Sequence, residues 1–220
     1  MPTVLVTGAN RGIGLALCRR FVRRGASVIG VCRETSPELA ALGGRVEAGV
    51  DVTSDHAVAA LAARLGDTTI DLLILSAGIL RPDDLDSVAW DDIRAQIEVN
   101  AIAPLRVARA MQPRLPSGAK VATITSRMGS MGDNGSGGYY GYRMSKAALN
   151  TAAVSLARDL RPGGVAVAVL HPGFVRTGMT GGQGNITADE SARLLADRID
   201  ALTLETTGTF WHASGEVLPW

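Results

Sequence analysis

Aromatic residues are scarce in this chain, at 4% of 220 residues, with only three tyrosines. Cysteine is scarcer still: Cys18 and Cys32 form neither a CxxC pair nor a metal-ligand spacing. A single disulfide would be no scaffold at this length, so free thiols in a reducing compartment are expected. The three histidines, His56, His171 and His212, make no HxxxH or HxxE pair, which argues against a metal centre. Charge of one sign is lacking too, with 22 basic against 21 acidic residues and a net charge of +1. That excludes the strongly basic surface of a nucleic-acid or anionic-membrane binder. The one basic cluster, "CRRFVRR" from Cys18 to Arg24, reads as a solvated helix face. No apolar run approaches the roughly 20 residues that cross a bilayer. The chain starts directly into "TVLVTG", without a leader pattern, so a cytoplasmic location is expected.

Glycine, by contrast, is abundant at 26 residues, gathered at turn-like positions. Short apolar runs alternate with helical spacings. "TVLV", "ASVIGVC", "RVEAGVDV", "IDLLILSAG", "AKVATITS", "VAVAVLHPG" and "GTFWHAS" read as strands. Between them lie amphipathic helices, one of which, "SDHAVAALAARLG", opens on Ser54 as N-cap and closes on Gly66. The segment from Ala89 to Leu115 reads as one long helix, with a kink or break expected near Ala103 because Pro104 lies inside it. Near-continuous apolar strands separated by helices imply a parallel sheet covered on both faces. The expected fold is therefore α/β: a single domain over residues 1–220, doubly wound, of about seven strands. An eight-stranded β/α barrel would need more chain, about 250 residues.

"VTGANRGIG", Val6 to Gly14, stands where the first strand hands over to the first helix. Gly8, Gly12 and Gly14 let the backbone turn and a phosphate approach. The helix behind them aims unpaired N–H groups and a positive dipole end at that phosphate. After the first strand of an α/β pattern this reads as a dinucleotide cradle, the alternative being a plain tight turn. At the tip of the second strand, where the adenosine ribose would lie, the chain has Arg33 and no aspartate, and Arg11 lies in the glycine loop. Two guanidinium groups suit a 2′-phosphate, so NADP(H) is the expected cofactor, with NAD(H) the second choice. The alternative for Arg33 is a surface pair with Glu34. Asp51 and Val52, after the third strand, either meet the adenine or, for Asp51, cap the next turn.

"GSGGYYGYRMSKAALN", Gly135 to Asn150, holds all three tyrosines. A phenol titrates near pH 10 and needs a nearby cation to exchange protons at neutrality. Four residues further along a helix lies the same face, which gives Tyr142 the partner Lys146, Tyr139 the partner Arg143 and Tyr140 only Met144. Tyr139 follows Gly137 and Gly138, where helical geometry is least secure. Tyr142 with Lys146 is therefore the chosen pair, and Tyr139 and Tyr140 are read as pocket walls.

With these motifs in order, the chain resembles a short-chain dehydrogenase/reductase from end to end. "TGANRGIG" matches that family's cofactor loop, which brings in Asn10 and Ile13. "SAG" (Ser76, Ala77, Gly78) resembles its motif after the fourth strand, although the family usually has asparagine at the first position. Asn100 falls at its helix asparagine, Ser126 closes "VATITS", and Tyr142 with Lys146 supply its YxxxK. "HPGFVRT" resembles its PG motif, with Pro172, Gly173, Val175 and Thr177 toward the nicotinamide. "SRMGSMGDN" and the ending "GEVLPW" look most like the C-factor-like and small carbonyl-reductase branch. The loop from Ser126 to Tyr142 is longer than usual and leaves Ser130 as a rival serine. The resemblance implies a Rossmann fold and hydride transfer between a nicotinamide and a small-molecule carbonyl or alcohol. Tyr142 would be the acid, Ser126 the oxygen-binding group, Lys146 the ribose anchor and Asn100 the holder of a water. It also implies a homodimer or homotetramer assembled through alanine-rich helices. The alternative is an NADP-binding sensor or C-factor-like signalling protein with little turnover. Residues 178–187 read as a candidate substrate lid, the alternative being a plain surface loop, and Met128, Met131, Phe174 and Met179 as an apolar substrate wall or ordinary core.

Overall fold

The computed structural model describes residues 1–220. Strands β1 (Thr3–Thr7), β2 (Ser27–Val31), β3 (Arg45–Glu47), β4 (Leu72–Leu75), β5 (Lys120–Ile124), β6 (Ala166–His171) and β9 (Phe210–His212) form one seven-stranded sheet, in the order β3-β2-β1-β4-β5-β6-β9. Every pairing in it is parallel. Side chains alternate across such a sheet, so each strand feeds two cores. Val4, Val6 and Ile74 pack with Leu15, Leu17 and Phe21 of α1 (Gly12–Arg23) and with Leu195 and Ile199 of α7 (Ala188–Ala201). Leu5, Leu73 and Leu75 pack on the other face against Leu61 and Leu65 of α3 (Asp55–Leu65), Val107 and Met111 of α5 (Ala103–Met111) and Leu160 of α6 (Tyr140–Leu160). The strand order reverses between β1 and β4, and the crevice at that switch point is where open α/β sheets take ligands.

The Ser54 cap forms as expected: its hydroxyl accepts from Ala57 N–H at 3.2 Å, and α3 stops at Gly66. Pro104 does not break its helix. Between α4 (Trp90–Ile97) and α5 the chain makes a π-helical turn, Glu98–Ile102, whose exit is a hydrogen bond from Ala103 N–H to the Glu98 carbonyl. The wider turn takes up the proline, whose ring would otherwise meet the carbonyl four residues back, that of Asn100. The third strand is shorter than "RVEAGVDV", because Gly49 turns the chain at φ 74°. Short α2 (Pro37–Ala40) and a small parallel pair, β7 (Val175–Arg176) with β8 (Ile186–Thr187), were not expected from the sequence pattern. That pair ties down both ends of the segment read as a lid. Within it Thr180 Oγ1 bonds to the carbonyls of Val175 at 2.9 Å and Gln183 at 2.6 Å. No helix of the chain is long and apolar enough to cross a membrane.

Candidate active site

The glycine loop lies at the switch point between β1 and β4. A Cβ on Gly14 would sit 2.2 Å from the Gly8 carbonyl oxygen, and one on Gly8 2.8 Å from Ala77 Cα, so neither position admits a side chain. Gly8 and Gly12 both stand at positive φ, 68° and 56°. Arg11 precedes α1, which has no side-chain cap and no acid in its first turn. Its N-terminal N–H groups therefore face the crevice without a competing carboxylate, an arrangement that fits a phosphate. Asn10 and Ile13 are half-buried in this loop. The turn Ser76–Ala77 has serine where its motif usually has asparagine, and Thr7 holds its main chain. Its Oγ1 accepts from Ser76 N–H at 3.1 Å and Ala77 N–H at 3.2 Å. Thr7 was missed in the sequence, although it is the last residue before the first glycine.

Arg33 and Arg11 are exposed, and Arg33 forms no salt bridge with Glu34. Asp51 caps its own turn, accepting from Thr53 N–H at 2.9 Å and Thr53 Oγ1 at 2.7 Å. Those bonds hold its carboxyl below the usual range, with smaller help from Arg33 and Arg106. Val52 packs on the second core. Across the crevice, Thr177 Cγ2 stands 3.6 Å from where a Gly12 Cβ would be, so the two loops face each other. The Pro172 carbonyl accepts from Ser191 Oγ at 2.8 Å, which fixes the Pro172–Gly173 turn on α7. Val175 is buried in β7.

Tyr142 and Lys146 lie on the inner face of α6, 8% and 5% exposed. Tyr139 and Tyr140 are 38% and 39% exposed. Tyr139 is the N-cap residue of α6: its carbonyl accepts from Arg143 N–H at 2.8 Å, but its own backbone is left-handed, at φ 53° and ψ 41°. Lys146 Nζ sits 5.7 Å from the Tyr142 ring centre and donates to the Ile124 carbonyl at 3.0 Å. Burial pushes the phenol up to about 12, with the Ser126 hydroxyl pulling the other way. Burial also brings the lysine down to about 8. Withdrawal from water is thus the leading influence on both groups, one that their spacing in the sequence did not announce.

Ser126 Oγ accepts from Met128 N–H at 3.1 Å. Ser130 Oγ accepts from Asp133 N–H at 3.1 Å and so serves its own turn. The loop after Ser126 reaches α6 through Gly129, where a Cβ would lie 2.7 Å from the Lys146 main chain. Asn100, in the π turn, is fully buried. Its Oδ1 accepts from Ile79 N–H at 2.8 Å, and its Nδ2 donates to the Ile79 carbonyl at 2.8 Å and to Ser145 Oγ at 2.9 Å. Gly78 joins these groups to the crevice: a Cβ there would be 3.1 Å from Asn100 Oδ1 and 3.8 Å from Lys146 Nζ. Sequence reasoning also missed Asn150, which accepts from Thr125 Oγ1 at 2.6 Å and ties the end of β5 to α6.

Fold and site together define a doubly wound α/β protein with a buried tyrosine–lysine pair beside a glycine-lined crevice. The chain belongs to the short chain dehydrogenase family, which matches residues 2–186. It is 46% identical over its whole length to 1-hydroxy-2-glutathionyl-2-methyl-3-butene dehydrogenase of Rhodococcus sp. (strain AD45), all of which it covers. It is 44% identical to the C-signal protein of Myxococcus xanthus over 154 residues, 69% of this chain and 93% of that protein. Among solved structures, NADPH-bound carbonyl reductase from chicken fatty liver superposes with a TM-score of 0.91 at 31% identity, covering 100% of this chain and 99% of that one.

Proposed function

We propose that the chain transfers a hydride between NADP(H) and a carbonyl or alcohol carbon, reducing aldehydes or ketones. The observation that carries this reading is the meeting of Tyr142, Lys146, Ser126, Asn100 and Gly78 beside the glycine cradle. The nicotinamide carries the hydride, while the chain supplies orientation and electrostatics. Tyr142, protonated at neutrality, gives its proton to the substrate oxygen as that oxygen gains charge. Ser126 donates a hydrogen bond to the same oxygen. Lys146 binds the ribose hydroxyls. The amide of Asn100 is engaged by Ile79 and Ser145, so any water relay at this residue uses another of its atoms. Gly8, Gly12 and Gly14 accommodate the pyrophosphate; Pro172, Gly173 and Thr177 border the nicotinamide. Exposed Met131, Phe174 and Met179 offer apolar surface to the substrate, and residues 178–187 cover it. The test is cofactor oxidation with NADPH and NADH against a panel of aldehydes and ketones. An alcohol bearing a glutathionyl group, the substrate type in the Rhodococcus enzyme's name, is run in the reverse direction.

Arg33 and Arg11 read the 2′-phosphate in this scheme. Losing one charge-assisted contact removes about 1.5–3 kcal/mol, or roughly 10- to 100-fold in NADPH affinity. Arg33→Ala is expected to lower kcat/KM with NADPH by that factor and to leave NADH nearly unchanged. Arg33→Asp shifts the preference further toward NADH by repelling the phosphate. Equal losses with both cofactors would mean that Arg33 supports the fold only. For assembly, Ile102 just before α5, Leu105 on α5 and Met144 on α6 stay 43%, 43% and 51% exposed. Burying them between copies gives a homodimer or homotetramer, and light scattering that finds only a 22.9 kDa species would exclude it. The second reading, a cofactor-binding signalling protein, is favoured by the C-signal likeness. It requires NADPH binding without turnover on the panel.

A further inference from the structure

The start of α6 is built in a way the proposed chemistry leaves unused. This helix has no side-chain cap of its own and no acid in its first turn. Gly137, Gly138 and Tyr139 before it all stand at positive φ, 63°, 62° and 53°, and Tyr139 is the only non-glycine in the chain to do so. The left-handed region costs a residue with a side chain about 1–2 kcal/mol. Asp83, in the loop after β4, holds it there. Its carbonyl accepts from Tyr139 N–H at 2.8 Å, and its Oδ2 accepts from Gly141 N–H at 3.0 Å across 58 positions of sequence. Gly141 is itself clamped, since a Cβ there would lie 2.5 Å from Gln96 Nε2 and 3.1 Å from Ile93 Cα. Gln96 Oε1 accepts in turn from Arg81 N–H at 2.9 Å, two residues before Asp83. The β4 loop, α4 and the first turn of α6 are thus joined at the residue next to Tyr142. Asp83 is 8% exposed and its Oδ1 has no partner. Burying a carboxylate with one oxygen unpaired is unfavourable for stability alone, so its contribution lies in the geometry it imposes.

We propose that Asp83 is the positioning residue for Tyr142: its carboxylate caps α6 from outside and sets where the phenol points. This rests on the reading of Tyr142 as proton donor. The test compares Asp83→Ala, Asp83→Asn and Tyr142→Phe in the full chain, using NADPH and the best carbonyl substrate of the panel. Asp83→Ala is expected to lower kcat about 10- to 100-fold, the range that follows from misplacing a reacting group by about 1 Å. Its KM for NADPH stays within about threefold, since neither Asp83 bond touches the glycine loop. Asp83→Asn keeps an oxygen for Gly141 N–H and returns kcat to within about threefold of wild type, Asn and Asp being equivalent caps. Wild-type kcat in Asp83→Ala overturns the proposal, as does a loss in Asp83→Asn as deep as in Asp83→Ala, or a KM for NADPH that rises in step with the loss of kcat. Should Asp83→Ala not fold, Asp83→Asn decides: near-wild-type kcat supports the cap, and a loss of about tenfold or more, roughly the cost of a lost cap bond, removes it. Failure of the functional reading looks different. There the wild type turns over no carbonyl, or Tyr142→Phe is as active as the wild type, and the basis of both readings goes.

Discussion

Tyr142→Phe is expected to lower carbonyl reduction by roughly 10² or more while the protein stays folded and binds cofactor. The ring stays, so the packing that leaves Tyr142 only 8% exposed is kept. What goes is one hydroxyl, held by burial at a pKa of about 12, beside Ser126. A group with that pKa is fully protonated at neutrality and ready to donate as the substrate oxygen gains charge. Removing it leaves Ser126 to stabilise the oxygen without delivering a proton. Tyr139→Phe and Tyr140→Phe change turnover far less, because both residues are more than a third exposed and neither lies on the inner face with Lys146. Initial rates for the three variants under saturating NADPH decide the matter. A dead Tyr139→Phe beside an active Tyr142→Phe would refute the assignment of the acid.

The layered α/β architecture was legible because it depends on local pattern. Apolar runs bounded by glycine form all seven main strands at their expected places, but β3, β4 and β9 keep less than half of the residues read as strand. The glycine loop was legible for the same reason, since strand, glycines and helix are contiguous. Features that depend on what meets across the fold were not. Thr7 bonds to Ser76 and Ala77, 69 and 70 positions away. Asp83 caps a helix 58 positions downstream. No local spacing announces such pairs. Pro104 signalled a disturbance, but whether a helix kinks or widens into a π turn depends on how its neighbours pack. The tyrosine–lysine pair shows a subtler gap. The spacing of Tyr142 and Lys146 put them on one face, yet it carried no information on burial. Burial is what moves their protons, the phenol upward and the ammonium downward.

Lys146→Met is expected to reduce turnover by about 10² or more, through loss of the ribose anchor, and yet to raise the melting temperature of the cofactor-free protein at pH 7. The ammonium is 5% exposed and has one protein partner, the Ile124 carbonyl. Its pKa of about 8, against the ordinary 10.5, corresponds to a penalty on the order of 3 kcal/mol for carrying the charge into the fold. Methionine fills much of the same volume without charge, while the freed carbonyl gives back about 1–2 kcal/mol. The net gain of about 1 kcal/mol raises the melting temperature of a chain this size by about 2–4 °C. The sign follows from proton counts. Between pH 8 and 10.5 the unfolded chain holds the lysine proton and the folded chain has released it, so wild-type stability rises with pH across that window. Below pH 8 both states are protonated and the penalty is present in full; above 10.5 both are neutral and it is gone. The advantage of Lys146→Met is therefore largest at pH 7 and shrinks steadily toward pH 10. Thermal melts of both proteins at pH 7, 8.5 and 10, without cofactor, read this directly. A variant that melts below wild type at pH 7, or by a margin that does not change with pH, would show that Lys146 is not held against a burial penalty.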